Sequence, residues 1–242
     1  MDDRKRQALQ YLSQDSLLHI DMLESIRWGQ AVILQALPCG VLILDRPSQA
    51  YMMSAADQKT AARLFSGLQQ AELFVAHQKF YTEAVQKRLA LPHKMACFQA
   101  VYPGTEPISV CDQSYPIRQL DESYLPFVWK HYSHADDKEY LAERLRSGTM
   151  FGAFADGSLA GFIGMHAEGS MGMLEVLPSY RRRGIAAALE AFQVNRFLAQ
   201  KKIPFAQIIC GNTPSVRLHQ KLGFSISSVP LVWLEKSRWL IR

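Results

Sequence analysis

The 242-residue sequence predicts an α/β (α+β) fold in two parts. Short apolar runs of strand length alternate with segments of helical period along the whole chain. A connector of two prolines and a glycine, Pro103-Gly104-Thr105-Glu106-Pro107, opposes regular structure near the middle. Beyond it a strand is expected to enter a helix through a short basic turn, Arg181-Arg182-Arg183-Gly184. We therefore expect a smaller N-terminal α/β domain at 1–113 and a second domain at 114–242.

In the first part, Arg4 to Gln30 reads as one helix, with Leu18, Met22 and Ile26 recurring every four residues beside Leu23. Three apolar runs follow, Val32–Ala36, Val41–Asp45 and Tyr51–Ser54. Turn residues separate them, so an antiparallel meander is expected. Helices are expected over Asp57–Leu68 and Gln78–Leu89, and strands over Leu73–Ala76 and Ala96–Tyr102.

The second part opens with a strand at Tyr115–Gln119 and a helix capped by Asp121 that runs through Phe127 and Trp129. Lys138–Arg146 is a second helix. Met150–Ala155 and Leu159–His166 form a hairpin around Asp156-Gly157. Met173–Leu177 is the next strand, ended by Pro178. Gly184 then opens a helix with Ile185, Ala188, Leu189 and Phe192 on its buried stripe, closed by Lys201 and Lys202. Phe205–Cys210 is a strand. Asn212 or Thr213 caps the following helix, which Gly223 ends in a left-handed conformation. Two strands around Ile226 and Val232–Leu234 complete the chain.

The basic turn carries the chemistry. A helix start leaves backbone N–H groups unpaired, and with the positive end of the helix dipole they suit a pyrophosphate. Gly184 and Ala186 are small enough for phosphate oxygens to approach the backbone, and three adjacent arginines add charge-assisted contacts. The alternative is a basic helix start that only turns the chain. Arginine is unfavourable beside a helix N-terminus, however, and three call for an anion.

Arg181, Gly184 and Ala186 resemble the Q/R-x-x-G-x-G/A acetyl-CoA signature of the GNAT superfamily of N-acetyltransferases. Asn212-Thr213-Pro214-Ser215, Leu218 and Lys221-Leu222-Gly223-Phe224 resemble its second block, one helix and one strand downstream. This resemblance covers about Tyr115 to the C-terminus and implies a mixed, strongly twisted sheet with flanking helices. The two-part layout and the Val232-Trp233-Leu234 ending are similar to the glycine N-acyltransferase-like branch, in which a degenerate N-terminal domain precedes the catalytic one.

The resemblance implies acetyl-CoA, or another acyl-CoA, as cosubstrate, with no metal, and a small-molecule amine or amino acid as acceptor. The backbone of Leu174 and Val176 would pair with the pantetheine arm, and an N–H on that strand would hold the thioester oxygen. Amides from Arg182 through Arg183, Gly184, Ile185, Ala186 and Ala187 would bind the pyrophosphate. Asn212 would reach the pantetheine and Ser215 the phosphates, with plain helix capping as the alternative for both.

A base must take a proton from the attacking amine. The glutamate usual in the family falls here at Ser170. Glu168, on the face of an extended strand shared with His166 and Ser170, is the expected base, with His166 and then Glu175 behind it. A solvated hairpin glutamate is the bland alternative. His219 stands where the family often has a tyrosine, as the thiolate's acid, with proton uptake from water or a plain surface histidine as the alternatives. A non-catalytic CoA-binding module is the competing function.

Composition narrows the rest. The net charge of +5 does not select a partner by itself, and the aromatic stacking motif of a single-strand nucleic-acid binder is missing. The charged start Met1-Asp2-Asp3-Arg4-Lys5-Arg6 lacks the apolar core of a secretory signal. No apolar run spans a bilayer, so a cytoplasmic protein off the membrane is expected. Cys39, Cys97, Cys111 and Cys210 lack metal or disulfide spacing and are expected as buried, reduced thiols.

Overall fold

The computed structural model describes residues 3–109, 115–133 and 137–237. The expectations that fall on Met1, Asp2, Cys111 and the 113/114 boundary lie outside the described residues. The chain begins with helices α1 (Asp3–Leu12) and α2 (Ile20–Arg27), then strands β1 (Ala31–Leu37), β2 (Gly40–Asp45) and β3 (Tyr51–Ala55). Helix α3 (Gln58–Phe65), β4 (Leu73–Ala76), α4 (Thr82–Leu89) and β5 (His93–Val101) follow. Next come β6 (Ile117–Gln119), α5 (Leu125–His131), α6 (Lys138–Arg146), β7 (Phe151–Ala155), β8 (Ser158–Met165) and β9 (Met171–Val176). Helix α7 (Ile185–Ala199), β10 (Phe205–Ile209), α8 (Thr213–Lys221), β11 (Ser225–Ile226) and β12 (Leu231–Glu235) end it. The result is a mixed α/β fold of open, twisted sheet with flanking helices.

The chain divides into two compact units. One comprises Met1–Ala100, Gln207–Asn212 and Ile226–Ile241. In it β1, β2 and β3 form the expected antiparallel meander, and β4 runs parallel to β3. The late strand β12 lies between β4 and β5, antiparallel to both. Neighbouring residues along these strands face opposite cores, because side chains alternate across a sheet. Leu42, Met53, Phe74 and Leu234 pack against Leu64, Tyr81 and Val85 on one side. Ile43, Met52, Val75 and Trp233 pack against Leu12, Met22 and Ile26 on the other. Burial on both faces explains why these strands are apolar throughout instead of alternating.

The single helix expected over Arg4–Gln30 is broken. Helix α1 stops at Leu12, a 3-10 turn spans Ser13–Asp15, and α2 starts at Ile20. The Ser-Gln-Asp-Ser run competes with the helix for backbone groups: the Asp15 carboxylate accepts the Leu18 N–H at 3.0 Å. His19 Nδ1 then bonds the Leu12 carbonyl at 3.0 Å, so Nδ1 carries the hydrogen and Nε2 accepts from Ser54 Oγ at 2.8 Å. Asp57, read as helical, is the N-cap of α3 and accepts the Thr60 N–H. Cys97 is buried as expected, whereas Cys39 is half-buried and Cys210 is exposed.

The other unit comprises Val101–Ala206 and Thr213–Ser225. Strands β6, β7, β8 and β9 are antiparallel neighbours in that order. The β7–β8 turn has φ of 49° at Asp156 and 77° at Gly157, as a tight hairpin of Asp-Gly type requires. Ile185 and Leu189 of α7 cover Ala153, Ala160 and Ile163 on one face. Val128, Leu141 and Leu145 of α5 and α6 cover Phe154, Phe162 and Met173 on the other. Helix α6 has the expected bounds because the Asp137 carboxylate caps the Glu139 and Tyr140 N–H groups. Helix α7 ends at Ala199, short of the expected lysines, and Lys201 sits in a left-handed conformation with φ 58°.

Burial lowers the pKa of His19 from 6.5 to about 4, with the nearby His77 adding to the effect. A folded-state value below the unfolded one makes this contribution complete above pH 6.5 and lost as pH falls towards 4. Urea unfolding at graded pH should show about 3 kcal/mol of this acid loss in wild type and less in His19→Gln.

Candidate active site

The site begins with an irregularity in β9. Phe162 pairs with Glu175 and Gly164 with Gly172, so Met173 and Leu174 together oppose Ile163 alone. This is a bulge, and Met173 absorbs it with φ 53°, a left-handed conformation that a side-chain-bearing residue rarely adopts. On its other side β9 pairs with β10 only through Met171 and Ala206, which run parallel. Among the described residues, the edge of β9 from Gly172 to Val176 therefore has no strand partner on that side. Leu174 and Val176 lie on this edge, half-buried. An unpaired strand edge is a template for an extended, amide-bearing ligand.

Beyond β9, a 3-10 turn over Pro178–Tyr180 leads into the arginines. Arg181 folds back: its Nε donates to the Val176 carbonyl at 2.9 Å and its guanidinium meets Glu175 at 3.2 Å. That carbonyl is therefore bonded by a side chain, which the sequence did not signal. Arg182 has φ 61° and Arg183 lies 5.5 Å over the Tyr180 ring. Gly184, with φ 82°, is the N-cap of α7 and offers no side chain to it. A Cβ there would meet nothing within 4 Å, so backbone conformation, not space, calls for glycine. Ile185 is buried, while Ala186 and Ala187 are half-exposed behind the exposed Arg181–Gly184 turn. The amides of Ile185, Ala186 and Ala187 have no carbonyl one turn back in the helix, as at any helix start.

Glu168 departs from its expected setting. It lies in the turn between β8 and β9, where His166 N–H bonds the Ser170 carbonyl at 2.9 Å, and not on an extended strand. Nor is it solvated: it is 8% exposed and accepts a hydrogen bond from Ser170 Oγ. Burial raises the pKa of the Tyr140 and Tyr132 phenols, and the Glu168 charge raises both further. Tyr140 Oη accepts the Ala167 N–H at 3.3 Å and lies 3.1 Å from His166 Nδ1. The His166 ring lies against the backbone at Gly172, where an added Cβ would sit 2.4 Å from Nε2. Glu175 is committed to Arg181 and to the Ser133 N–H, which it accepts at 3.3 Å.

His219, expected at the surface as its bland reading, is 2% exposed. Its Nδ1 bonds the Ser215 carbonyl at 2.9 Å and its Nε2 points at Glu190, 3.6 Å away. Ser215 is half-buried in the first turn of α8. Asn212 is exposed, its N–H bonded to Ile209 O at 3.0 Å, and it belongs to the other compact unit. Sequence reasoning missed Tyr140, Tyr132, Gly172 and the Met173 bulge, because each acts through a tertiary neighbour. Glu190 had a signal: it is a glutamate set within the apolar run Ala186-Ala187-Ala188-Leu189…Ala191-Phe192. Among the described residues, no three His, Cys, Asp or Glu side chains converge as a metal site.

Two glycines give a direct test of this geometry. Gly184→Ala should cost about 1–2 kcal/mol through its left-handed φ, and Gly172→Ala about 1–3 kcal/mol by overpacking against His166. Denaturant unfolding measures both. The ring displacement in Gly172→Ala should also shift the His166 imidazole resonances, which Gly184→Ala should leave in place.

Residues 114–224 match the acetyltransferase (GNAT) family. No curated protein matches the sequence. Among solved structures, a Drosophila protein is 19% identical with a TM-score of 0.66, over 96% of this chain and 88% of that one. A GCN5-related N-acetyltransferase from Kribbella flavida is 12% identical with a TM-score of 0.55, over 90% and 95%. A GCN5-related N-acetyltransferase-like protein from Streptococcus suis is 12% identical with a TM-score of 0.53, over 95% and 99%. The bulged, half-open β9 running into the bare start of α7 lies within this segment of 114–224, which is similar to the acetyltransferase (GNAT) family.

Proposed function

We propose that this chain is an acyl-CoA-dependent N-acyltransferase that uses acetyl-CoA and acts on the amine of a small molecule or amino acid. One observation carries the proposal: the unpaired edge of β9 leads directly into a helix start whose amides are open and whose N-cap is a left-handed glycine. The edge suits the two amides of a pantetheine arm, and the helix start suits a pyrophosphate. Arg182, Arg183 and the amides through Ala187 take the phosphates, with Arg181 tied to β9. Ser215 lies in the first turn of α8, where it would face the same ligand. The extra residue of the bulge supplies an N–H for the thioester oxygen, where negative charge develops.

Glu168 is the base in this reading. It takes a proton from the acceptor ammonium, and the free amine attacks the thioester carbon directly in a ternary complex. Its position supports this: it is buried in the β8–β9 turn, next to the strand whose edge would hold the acyl donor. Both ring nitrogens of His219 are directed at protein groups, so the departing thiolate takes its proton from water. The two-part chain is read as similar to the glycine N-acyltransferase-like branch, with the N-terminal part as a degenerate domain. Among the described residues, no helix is long and apolar enough to cross a membrane.

Thermal-shift titration with CoA, acetyl-CoA and longer acyl-CoAs, against ATP and NAD, tests the donor. A CoA compound at 100 times its dissociation constant should stabilise the protein by about 2.7 kcal/mol, and no response to any CoA compound would sink the proposal. For the base, Glu168→Gln should lower kcat by about 10²-fold and remove the acidic limb of the pH–rate profile. Unchanged turnover and an unchanged profile would dismiss Glu168.

A further inference from the structure

Helix α7 buries a glutamate that no ligand contact explains. Glu190 and His219 are each 2% exposed and face one another across α7 and α8, with Oε1 3.6 Å from Nε2. That separation is just beyond a hydrogen bond. Glu190 Oε2 and His219 Nε2 have no hydrogen-bond partner. The other ring nitrogen is fixed: Nδ1 lies 2.9 Å from the Ser215 carbonyl, which can only accept, so Nδ1 carries the hydrogen. The ring is held from its other side by Phe224, packed edge-on at 4.8 Å.

Two arrangements satisfy this seam. An imidazolium facing a carboxylate puts two charges in a dry site and leaves Oε2 without a donor. A neutral carboxylic acid donating to the free lone pair of Nε2 needs no charge at all. Buried ion pairs repay their desolvation only when their remaining lone pairs are bonded. Among the described residues, His219 is the one group whose charge bears on Glu190. The seam therefore favours the neutral pair.

We propose that Glu190 and His219 form a proton-dependent clasp between α7 and α8, closed when the Glu190 carboxyl is protonated and donates to His219 Nε2, and opened by loss of that proton. Burial raises the pKa of Glu190, with the neighbouring histidine opposing the rise in part. A folded-state value above the unfolded one makes the stabilising contribution complete in acid and lost as pH rises. The clasp reaches the ligand side through the Nδ1 bond to Ser215, at the start of α8. On the acyltransferase reading, on which this coupling rests, alkaline opening releases the first turn of α8 and weakens CoA binding. The acyl-CoA site would then be tuned by pH from behind, by a pair that touches no substrate.

Thermal unfolding of the full chain between about pH 5.5 and 9 tests the clasp in wild type, Glu190→Gln and Glu190→Met. Glutamine keeps a donor towards Nε2 at every pH, and methionine fills the volume without titrating. The three proteins should respond alike at the acid end apart from a constant offset. At the alkaline end wild type should fall behind Glu190→Gln by about 3 °C or more. Parallel curves, or a deficit of Glu190→Gln that grows with pH, would overturn the clasp in favour of a permanent ion pair. In parallel, CoA affinity should weaken severalfold from acid to alkaline pH in wild type and stay nearly level in Glu190→Gln. Equal pH dependence in the two would refute the coupling to the ligand site. Absence of CoA binding in both at every pH would refute the acyltransferase reading instead, and the unfolding curves would still decide the clasp.

Discussion

The geometry of the second unit depends on the bulge that Met173 imposes on β9. A regular strand in this position would present the same ladder along its whole length. The extra residue forces a left-handed backbone and twists the strand end, which brings β9 to the α7 turn with one edge bare. The surroundings accommodate the strain. Met173 is packed among Phe162, Met150 and Leu145, and Gly172 beside it leaves room for the His166 ring. A bulge held by this much apolar burial is a fixed feature, and everything attached to β9 inherits its direction.

Polar burial is distributed unevenly around this strand. Glu168 keeps a hydrogen bond from Ser170, and its charge bears on the phenols of Tyr132 and Tyr140. Glu175 pairs with Arg181, which also bonds the Val176 carbonyl, so the basic turn is held against the strand end. Glu190 faces a histidine and little else. Three carboxylates in one unit thus have three environments, and environment, not residue type, assigns their work.

The first unit solves polar burial differently, by a connected set of hydrogen bonds. Asp21 bonds His77 Nε2 at 2.9 Å, and His77 Nδ1 bonds the Met53 carbonyl at 3.1 Å. Ser54 Oγ meets His19, Tyr11 and the Gln78 amide, and Gln78 in turn accepts the Ala55 N–H. The Leu12 carbonyl fixes the His19 tautomer, and the network joins α1, α2, β3 and the end of β4. A set satisfied this fully adds specificity to a core that apolar packing alone would leave degenerate.

Much of this was legible in the sequence, for local reasons. The meander, the Asp-Gly hairpin, the Lys138–Arg146 helix, Gly184 before α7 and Gly223 after α8 follow from turn chemistry, capping and side-chain periodicity, which act within a few residues. The basic turn and the second block were legible for the same reason: each is a short, contiguous stretch. What the sequence could not give is set by partners far along the chain. Helix α1 breaks where Ser54 and Leu12 claim His19, and β12 takes its place between β4 and β5 through hydrogen bonds that no pattern in Leu231–Glu235 specifies. Burial of Glu168 and His219 was likewise decided by packing, since a hairpin turn and a helix end look solvated until neighbouring elements cover them. Local rules wrote the elements and the basic turn before α7; tertiary packing chose which ionisable groups lose water.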